Sequence, residues 1–240
     1  MPPYPAIQLT LGAVCGVLVG IAKTGVPGLG ILVVPLMVLA VGDARQSAAW
    51  LLPMLCTADV FAVLYWRRHA AARALFSLAP WVIAGMAAGA IALALHEGVL
   101  RFVVGSIVLL MLVAHFRRIR NGTTSPAHSA PYGVTAGFAT TVANAAGPAM
   151  NLYLLSRRLA KEEFVATGAW FFFIINLTKV PIYAAYGLYS PRSLIFDAWM
   201  IPAVLLGAWI GRRAIDRIPQ HLFEWLVIAL TAVSTTLMFF

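Results

Sequence analysis

Charged side chains are scarce in this chain: they make up 10% of 240 residues, while 62% of the residues are hydrophobic. An ordinary soluble domain carries roughly 25% charged residues, so the composition excludes a water-soluble globule. The five histidines stand apart, and neither His-x-x-x-His nor Cys-x-x-Cys occurs. A Gly-x-Ser-x-Gly elbow and a phosphate-binding glycine loop are also missing from the sequence. We therefore expect no enzyme, no metal site and no cofactor.

Most of the chain consists of long hydrophobic runs. Since one bilayer crossing takes roughly 20 apolar residues, the whole chain is predicted to be a single multi-pass membrane domain, residues 1–240. No basic residue precedes the first apolar run, so a cleaved signal peptide is not expected. The runs are 7–41, 47–66, 76–95, 99–116, 132–155, 164–186, 194–211 and 222–240.

The formal net charge of +9 does not indicate nucleic acid. Twelve of the 17 lysines and arginines lie in short clusters between apolar runs, as in the cytoplasmic loops of membrane proteins. The expected partners are membrane lipids and a small substrate, with no nucleic acid, and the sequence leaves the oligomeric state open.

Two halves of the chain repeat each other. Gly12, Gly16 and Pro27 recur as Gly133, Gly137 and Pro148 at an offset of 121, and further pairs follow at offsets of 120 and 122. We interpret this as an internal duplication, which is common in transporters. Repeat one covers about 7–118, a polar linker about 119–131, and repeat two about 132–240.

The first segment of each repeat is interrupted by glycine and proline, at 23–30 and at 144–148. Each interrupted segment either crosses the membrane once or returns as a hairpin of two short helices. A single crossing divides the loop lysines and arginines seven to eight, whereas a hairpin divides them twelve to three, in agreement with the positive-inside rule. We therefore predict an all-helical membrane protein of two inverted repeats, each a re-entrant broken-helix hairpin followed by three transmembrane helices.

The interruptions carry the first candidate binding residues. A broken helix exposes unpaired backbone donors and a partial positive charge at the new helix start, which suits an anion. A purely structural alternative is that the glycines permit close helix packing and that Lys23 reaches water by snorkelling. The residues at the two interruptions are Lys23, Thr24, Gly25, Pro27, Gly28 and Gly30, then Asn144, Gly147 and Pro148.

The next helix of each repeat carries one buried charge at matching positions, Asp59 and Lys179. The two side chains could form a structural ion pair. Alternatively, Lys179 and Asn176, one helical turn apart, bind substrate while Asp59 takes up a coupling proton. Trp50 and Trp170 also match and are candidate pocket walls, although tryptophan often anchors at the membrane interface.

These motifs resemble the sulfite exporter TauE/SafE family, also called the 4-toluene sulfonate uptake permease family. The resemblance rests on Gly16-x-x-x-Gly20 and the run from Lys23 to Pro35, then on Gly147-Pro148, Thr167-Gly-Ala and Asn176-x-x-Lys179, and it covers about Leu11 to Leu237. It implies a bacterial inner-membrane secondary transporter for sulfite or organosulfonates such as sulfoacetate, with protons as the coupling ion. By position, it places the family's glycine-rich break on 25–30 and its second motif on Gly147, Pro148, Asn176 and Lys179.

This chain departs from the family pattern at 144–148, where Asn-Ala-Ala-Gly-Pro replaces Gly-x-Gly-Gly-Pro. Alanine methyl groups would narrow the approach of the backbone to a ligand, so the substrate can differ from those of other members. Two other functions remain open at this stage: a passive anion channel, and a membrane scaffold whose broken helices only pack.

The inverted plan predicts that both chain termini lie on the periplasmic side. Reporter fusions active only in the cytosol or only in the periplasm, placed at each end, should give the periplasmic signal at both. An amino terminus in the cytosol with a carboxyl terminus in the periplasm would contradict two inverted repeats.

Overall fold

The computed structural model describes residues 4–92, 97–121, 128–143 and 145–239, and within these ranges the chain forms helices and no strand. Its α-helices are α1 Ala6–Thr24, α2 Val33–Val41, α3 Ala44–Trp66, α4 Ala72–Ala92, α5 Glu97–Arg120, α6 Ser129–Ala143, α7 Ala146–Ser156, α8 Lys161–Ala185, α9 Pro191–Arg217 and α10 Gln220–Thr236. Two 3-10 turns, Leu29–Leu32 and Leu237–Phe239, precede α2 and follow α10.

Six of these helices are long and apolar enough to cross a membrane: α1, α4, α8 and α9, together with Gln46–Trp66 of α3 and Gly98–Arg120 of α5. Helices suit the hydrocarbon interior because every backbone group is paired within the segment. Large apolar side chains also point outward, as at Phe76, 74% exposed, and Ile91, 82% exposed. The expectation of an all-helical multi-pass membrane protein is confirmed.

Both interrupted segments fold back on themselves. In the first segment, the Cys15 thiol of α1 lies 3.8 Å from the carbonyl oxygen of Val33, so α2 runs back along α1. In the second, the rings of Tyr132 and Tyr153 are 5.9 Å apart, and Arg157 Nη2 donates to Ser129 Oγ at 2.7 Å. Each segment is therefore a helical hairpin and not a straight rod.

The helix boundaries differ slightly from those expected. Helix α7 begins at Ala146, so Pro148 lies inside its first turn, where a missing amide proton costs nothing because first-turn amides have no intrahelical acceptor. Helices α5 and α6 reach into the predicted linker, 119–131, since α5 ends at Arg120 and α6 begins at Ser129.

The first of two compact units contains Met1–Ala70 and Val165–Pro219. In it, α1, α3 and α9 run parallel. At one end the ring of Trp50 lies 5.0 Å from that of Phe196. At the other end the Arg212 guanidinium lies 4.3 Å from the Tyr65 ring. Helix α8 runs antiparallel to α3.

The second unit contains Ala71–Phe164 and Gln220–Phe240. Its closest pair is α4 with α6, which run parallel. The fully buried Tyr153 ties α7 to α4, because its hydroxyl donates to the carbonyl oxygen of Ala74 at 2.7 Å. Asn151 of α7 donates to Thr231 of α10 at 3.3 Å.

The tightest helix pair in each unit depends on glycine. A methyl group on Gly207 of α9 would overlap the carbonyl oxygen of Val17 in α1, and one on Gly85 of α4 would overlap that of Val134 in α6. Under the 120–122 offset, α1 corresponds to α6 and α9 to α4, so the two units use corresponding helices for their closest contact.

We predict that Gly207→Ala and Gly85→Ala each lower the free energy of unfolding by about 1–3 kcal/mol, because the added methyl group forces two backbones apart. Unfolding of purified protein in mixed micelles measures the change. Gly147→Ala is the control: no atom lies within 4 Å of its added methyl group, and stability should hold or rise. Equal losses in all three variants would contradict the packing explanation.

Candidate functional site

A buried carboxylate is the centre of the candidate site. Asp59, in the middle of α3, is fully buried. Its Oδ1 lies 2.7 Å from Lys23 Nζ, at the end of α1, and its Oδ2 accepts a hydrogen bond of 2.7 Å from Asn176 Nδ2 of α8. Three helices of the first unit thus meet at one side chain, and both carboxylate oxygens are occupied.

The break after α1 is held in place from two sides. Trp66 Nε1 donates to the carbonyl oxygen of Thr24 at 3.1 Å, which satisfies one of the carbonyls left open where the helix ends. The Thr24 hydroxyl lies 2.9 Å from the carbonyl oxygen of Gly20 and 2.8 Å from that of Ala208. These bonds fasten the end of α1 to α3 and α9, and so they position Lys23.

Two glycines make the break possible. A methyl group on Gly25 would overlap the backbone of Gly211. The residue that follows α1 therefore lies directly against α9. Gly28 has φ of +106°, a conformation that glycine adopts without steric cost. The backbone can therefore reverse within four residues and enter the 3-10 turn at Leu29.

Two more side chains complete the environment of Lys23. Its ammonium group lies 4.3 Å from the centre of the Phe172 ring, a favourable cation–π contact. Lys179, 9% exposed, interacts electrostatically with both Lys23 and Asp59. With all three side chains ionised, the cluster carries two positive charges and one negative charge. We call Lys23, Asp59, Asn176 and Lys179 the Asp59 cluster.

The Asp59 cluster has the chemistry of an oxyanion site. The Asn176 amide donates to one carboxylate oxygen and the Lys23 ammonium forms an ion pair with the other, and interactions with a charged partner of this kind are stronger than neutral ones. Sulfite, sulfonate and carboxylate groups all present negatively charged oxygens that accept hydrogen bonds and pair with cations. In this conformation Lys23 and Asn176 both contact the protein's own carboxylate, Asp59.

The remaining residues predicted at the first break have varied surroundings. A methyl group on Gly30 would meet only Ala22, at 3.9 Å, so space is left beside it. Pro27 is partly buried in the turn. The Thr24 hydroxyl is engaged with backbone carbonyls, and its use as a substrate donor stays a prediction.

The residues predicted at the second break belong to the second unit. Gly147 has open space around it and Pro148 is buried. Asn144 lies outside the described residues. A shared pocket of the two breaks therefore stays a prediction.

The two tryptophans pack at different places in the first unit. Trp50, 6% exposed, packs in the core of the first unit between Tyr4 and Phe196. Trp170 packs against Ala62 and Val63 of α3, and its ring lies 6.1 Å from that of Phe173. Their role as pocket walls stays a prediction.

Sequence reasoning missed some of these contacts. Phe172 is one of three consecutive phenylalanines, and nothing in the pattern distinguishes the ring that meets Lys23. The pairing of Lys23 with Asp59 was also not anticipated, because both were assigned separate roles. Their helical positions do not show that the end of α1 reaches the middle of α3.

A multi-pass helical membrane protein with a buried, hydrogen-bonded cluster of charges beside a broken helix belongs to the class of membrane transporters, in which intramembrane charges mark substrate or ion pathways. The chain belongs to the sulfite exporter TauE/SafE family: the model of that family, described as "Sulfite exporter TauE/SafE", matches residues 12–238. This family comprises membrane transporters of sulfite and related anions, not enzymes. No match was found among curated proteins or among solved structures.

We predict that Lys23→Met lowers the free energy of unfolding by on the order of 3 kcal/mol, because it leaves the buried Asp59 carboxylate without its ammonium partner. The double variant Lys23→Met with Asp59→Asn should regain most of that loss, since no carboxylate is then buried at position 59. Urea or detergent unfolding, followed by circular dichroism, measures both changes.

Asp216→Asn is the matched control for this prediction. Asp216 pairs with Arg212 in α9, but its side chain is 53% exposed, and exposed pairs contribute at most about 1 kcal/mol. A Lys23→Met variant no less stable than Asp216→Asn would show that the Asp59 pair does not stabilise the fold.

Proposed function

We propose that this protein is a secondary transporter that moves a small oxyanion, sulfite or an organosulfonate such as sulfoacetate, across the bacterial inner membrane by alternating access coupled to protons. Membership of the TauE/SafE family supports the transport of a sulfur-containing anion. The observation that carries the site assignment is the convergence of Lys23 and Asn176 on one buried anion, Asp59.

The geometry of the Asp59 cluster supports a competition mechanism. While Asp59 is ionised, its two oxygens hold the Lys23 ammonium and the Asn176 amide. A proton on Asp59 removes the negative charge that Lys23 faces and raises the net charge of the cluster by one. An oxyanion that accepts from the Lys23 ammonium and the Asn176 amide replaces the lost negative charge inside a region of low dielectric, where electrostatic interactions are strong. Proton uptake and anion binding therefore favour each other.

The broken hairpin supports alternating access. Discontinuous helices near the middle of a membrane can shift at the break without unfolding the rest of the helix. Lys23 lies at the last turn of α1, directly before the Gly25–Gly28 turn. A change in that turn would move the ammonium group towards or away from Asp59, and this couples the state of the site to the conformation of the hairpin.

The two-repeat organisation is part of the proposal. The corresponding pairs α1 with α9 and α6 with α4, together with the hairpin at the start of each half, support two inverted repeats. In that arrangement the two chain ends lie in the periplasm and the clustered arginines lie in the cytosol.

We predict that Lys23→Ala and Lys179→Ala each weaken anion binding about 10- to 100-fold, which corresponds to the loss of one charge-assisted hydrogen bond of roughly 1.5–3 kcal/mol. Thermal shift in detergent with sulfite, thiosulfate, sulfoacetate, taurine and simple carboxylates gives the binding order, because a ligand that prefers the folded state raises its melting temperature.

Lys161→Ala is the control for the two lysine variants, because Lys161 lies at the start of α8, 3.9 Å from Glu162 and distant in sequence from the cluster. Binding that survives in Lys23→Ala and Lys179→Ala would place the substrate elsewhere. Flux in proteoliposomes that does not saturate and ignores a proton gradient would identify a channel, and absence of any flux would identify a scaffold.

We further predict that Asp59→Asn binds an organosulfonate more tightly than the wild type and without dependence on pH. The wild type should bind it more tightly as pH falls, because a proton on Asp59 releases Lys23 and Asn176. A sulfonate group stays ionised over the working range, so the ligand itself does not contribute the effect. Titration by isothermal calorimetry at several pH values measures the change. A variant that keeps the wild-type pH dependence would contradict the competition mechanism.

A further inference from the structure

A second carboxyl group is buried in the first unit and has no place in the Asp59 cluster. Asp197 lies in the second turn of α9 and is 6% exposed. Neither of its two oxygens has a hydrogen-bond partner within the described parts of the chain. Its counterpart in repeat one, at an offset of 122, is Leu75, so the duplicated scaffold does not require an acid here.

A phenol with a buried hydroxyl group precedes Asp197 by eight residues in the sequence. Tyr189, in the segment between α8 and α9, has a buried hydroxyl group with no hydrogen-bond partner among the described residues, and it interacts electrostatically with Asp197. Burial, together with the charges of Cys56, Tyr183 and Asp197, raises the pKa of Tyr189 to about 12. Tyr189 is therefore a neutral donor that can bond to a carboxylate.

Titratable side chains connect this pair to the Asp59 cluster. Tyr189 interacts with Cys56 of α3, and Cys56 interacts with Asp59, one turn further along the same helix. Lys23 and Asp59 pair with each other, and the Tyr4 hydroxyl donates to the carbonyl oxygen of Arg192. Further titratable groups lie on the segments packed around Asp197: Tyr4, Cys15 and Lys23 on and before α1, Asp43, Cys56, Asp59 and Tyr65 on and before α3, Lys179, Tyr183, Tyr186 and Tyr189 on and after α8, and Arg192, Arg212, Arg213, Asp216 and Arg217 on α9.

A buried carboxylate without a counter-ion is costly, and a proton removes that cost by neutralising the charge. A proton needs only one carboxyl group, whereas a hard metal cation takes about six or more oxygens. Membrane-embedded acids that lack a partner are typical of proton pathways. The chemistry around Asp197 thus fits a proton as its ligand.

We propose that Asp197, together with Tyr189, is a second proton-binding site of the transporter, through which protons reach Asp59. This inference rests on the proposed function. In the step we describe, the O–H bond of the Asp197 carboxylic acid breaks, the proton passes to a water molecule, and the hydronium ion gives it to the Asp59 carboxylate. The remaining carboxylate is stabilised by the Tyr189 hydroxyl until another proton arrives from bulk water.

The test uses the full chain in proteoliposomes, with radiolabelled sulfite as the probe. Asp197→Asn should bind sulfite as the wild type does and should exchange internal for external sulfite at the wild-type rate, since exchange needs no net proton movement. An imposed proton gradient, which accelerates sulfite uptake by the wild type, should no longer accelerate uptake by Asp197→Asn. Asp216→Asn, the same substitution at the exposed end of α9, should keep that acceleration.

A second measurement reports the protonation directly. The infrared carbonyl band of a buried carboxylic acid should be present in the wild type at neutral pH, absent in Asp197→Asn and retained in Asp59→Asn. Asp197→Glu keeps the carboxyl group and should keep both the band and gradient-driven uptake, which separates loss of the acid from misfolding.

The possible outcomes distinguish the two proposals. If the wild type exchanges sulfite and Asp197→Asn still responds to the gradient as the wild type does, only the role of Asp197 is wrong. If the band is unchanged in Asp197→Asn, the side chain is ionised and the inference is also wrong. If the wild type neither binds nor exchanges sulfite, the proposed function fails, together with the coupling role that depends on it.

Discussion

The cost of a carboxylate inside the membrane is the constraint on which the first unit depends. Asp59 is fully buried in α3 and would be unstable there with unpaired oxygens. Lys23 and Asn176 satisfy those oxygens, and to do so the end of α1 and the middle of α8 must both reach α3. The carboxylate therefore determines where α1 stops and which face α8 presents, and an ordinary apolar contact could not impose such specific positions.

The break after α1 follows from the same requirement. In a helix that continued past Thr24, the last carbonyl groups of α1 would be paired along the helix. Instead the chain ends α1 with side-chain donors: Trp66 bonds to the Thr24 carbonyl, and the Thr24 hydroxyl reaches Ala208. Aromatic and hydroxyl groups thus replace backbone partners at the end of α1, which makes an irregular backbone tolerable in a membrane.

Much of the fold could be predicted from the sequence, for physical reasons. Apolar runs of about 20 residues mark helices because a bilayer allows little else, and the glycine and proline at 25–30 mark the break because they interrupt the backbone ladder. Contacts between helices are harder to predict, because Lys23, Asp59 and Asn176 are distant in sequence. Their pairing depends on how each helix is rotated about its own axis. Asp197 and Tyr189 were missed because a single acid near a helix start looks like a solvated residue. Burial distinguishes Asp197 from a solvated acid, and its burial becomes visible only in the folded structure.

The charges at positions 59 and 179 also explain how the first unit can hold a buried cluster. Asp59 and Lys179 correspond to each other at an offset of 120, and their side chains interact electrostatically. Two aspartates or two lysines at these positions would repel in a medium of low dielectric, whereas Asp59 and Lys179 attract. The opposite charges therefore stabilise the core. With all three side chains ionised, Lys179 also leaves the Asp59 cluster with one positive charge in excess, which Lys23 and Asp59 alone would not have.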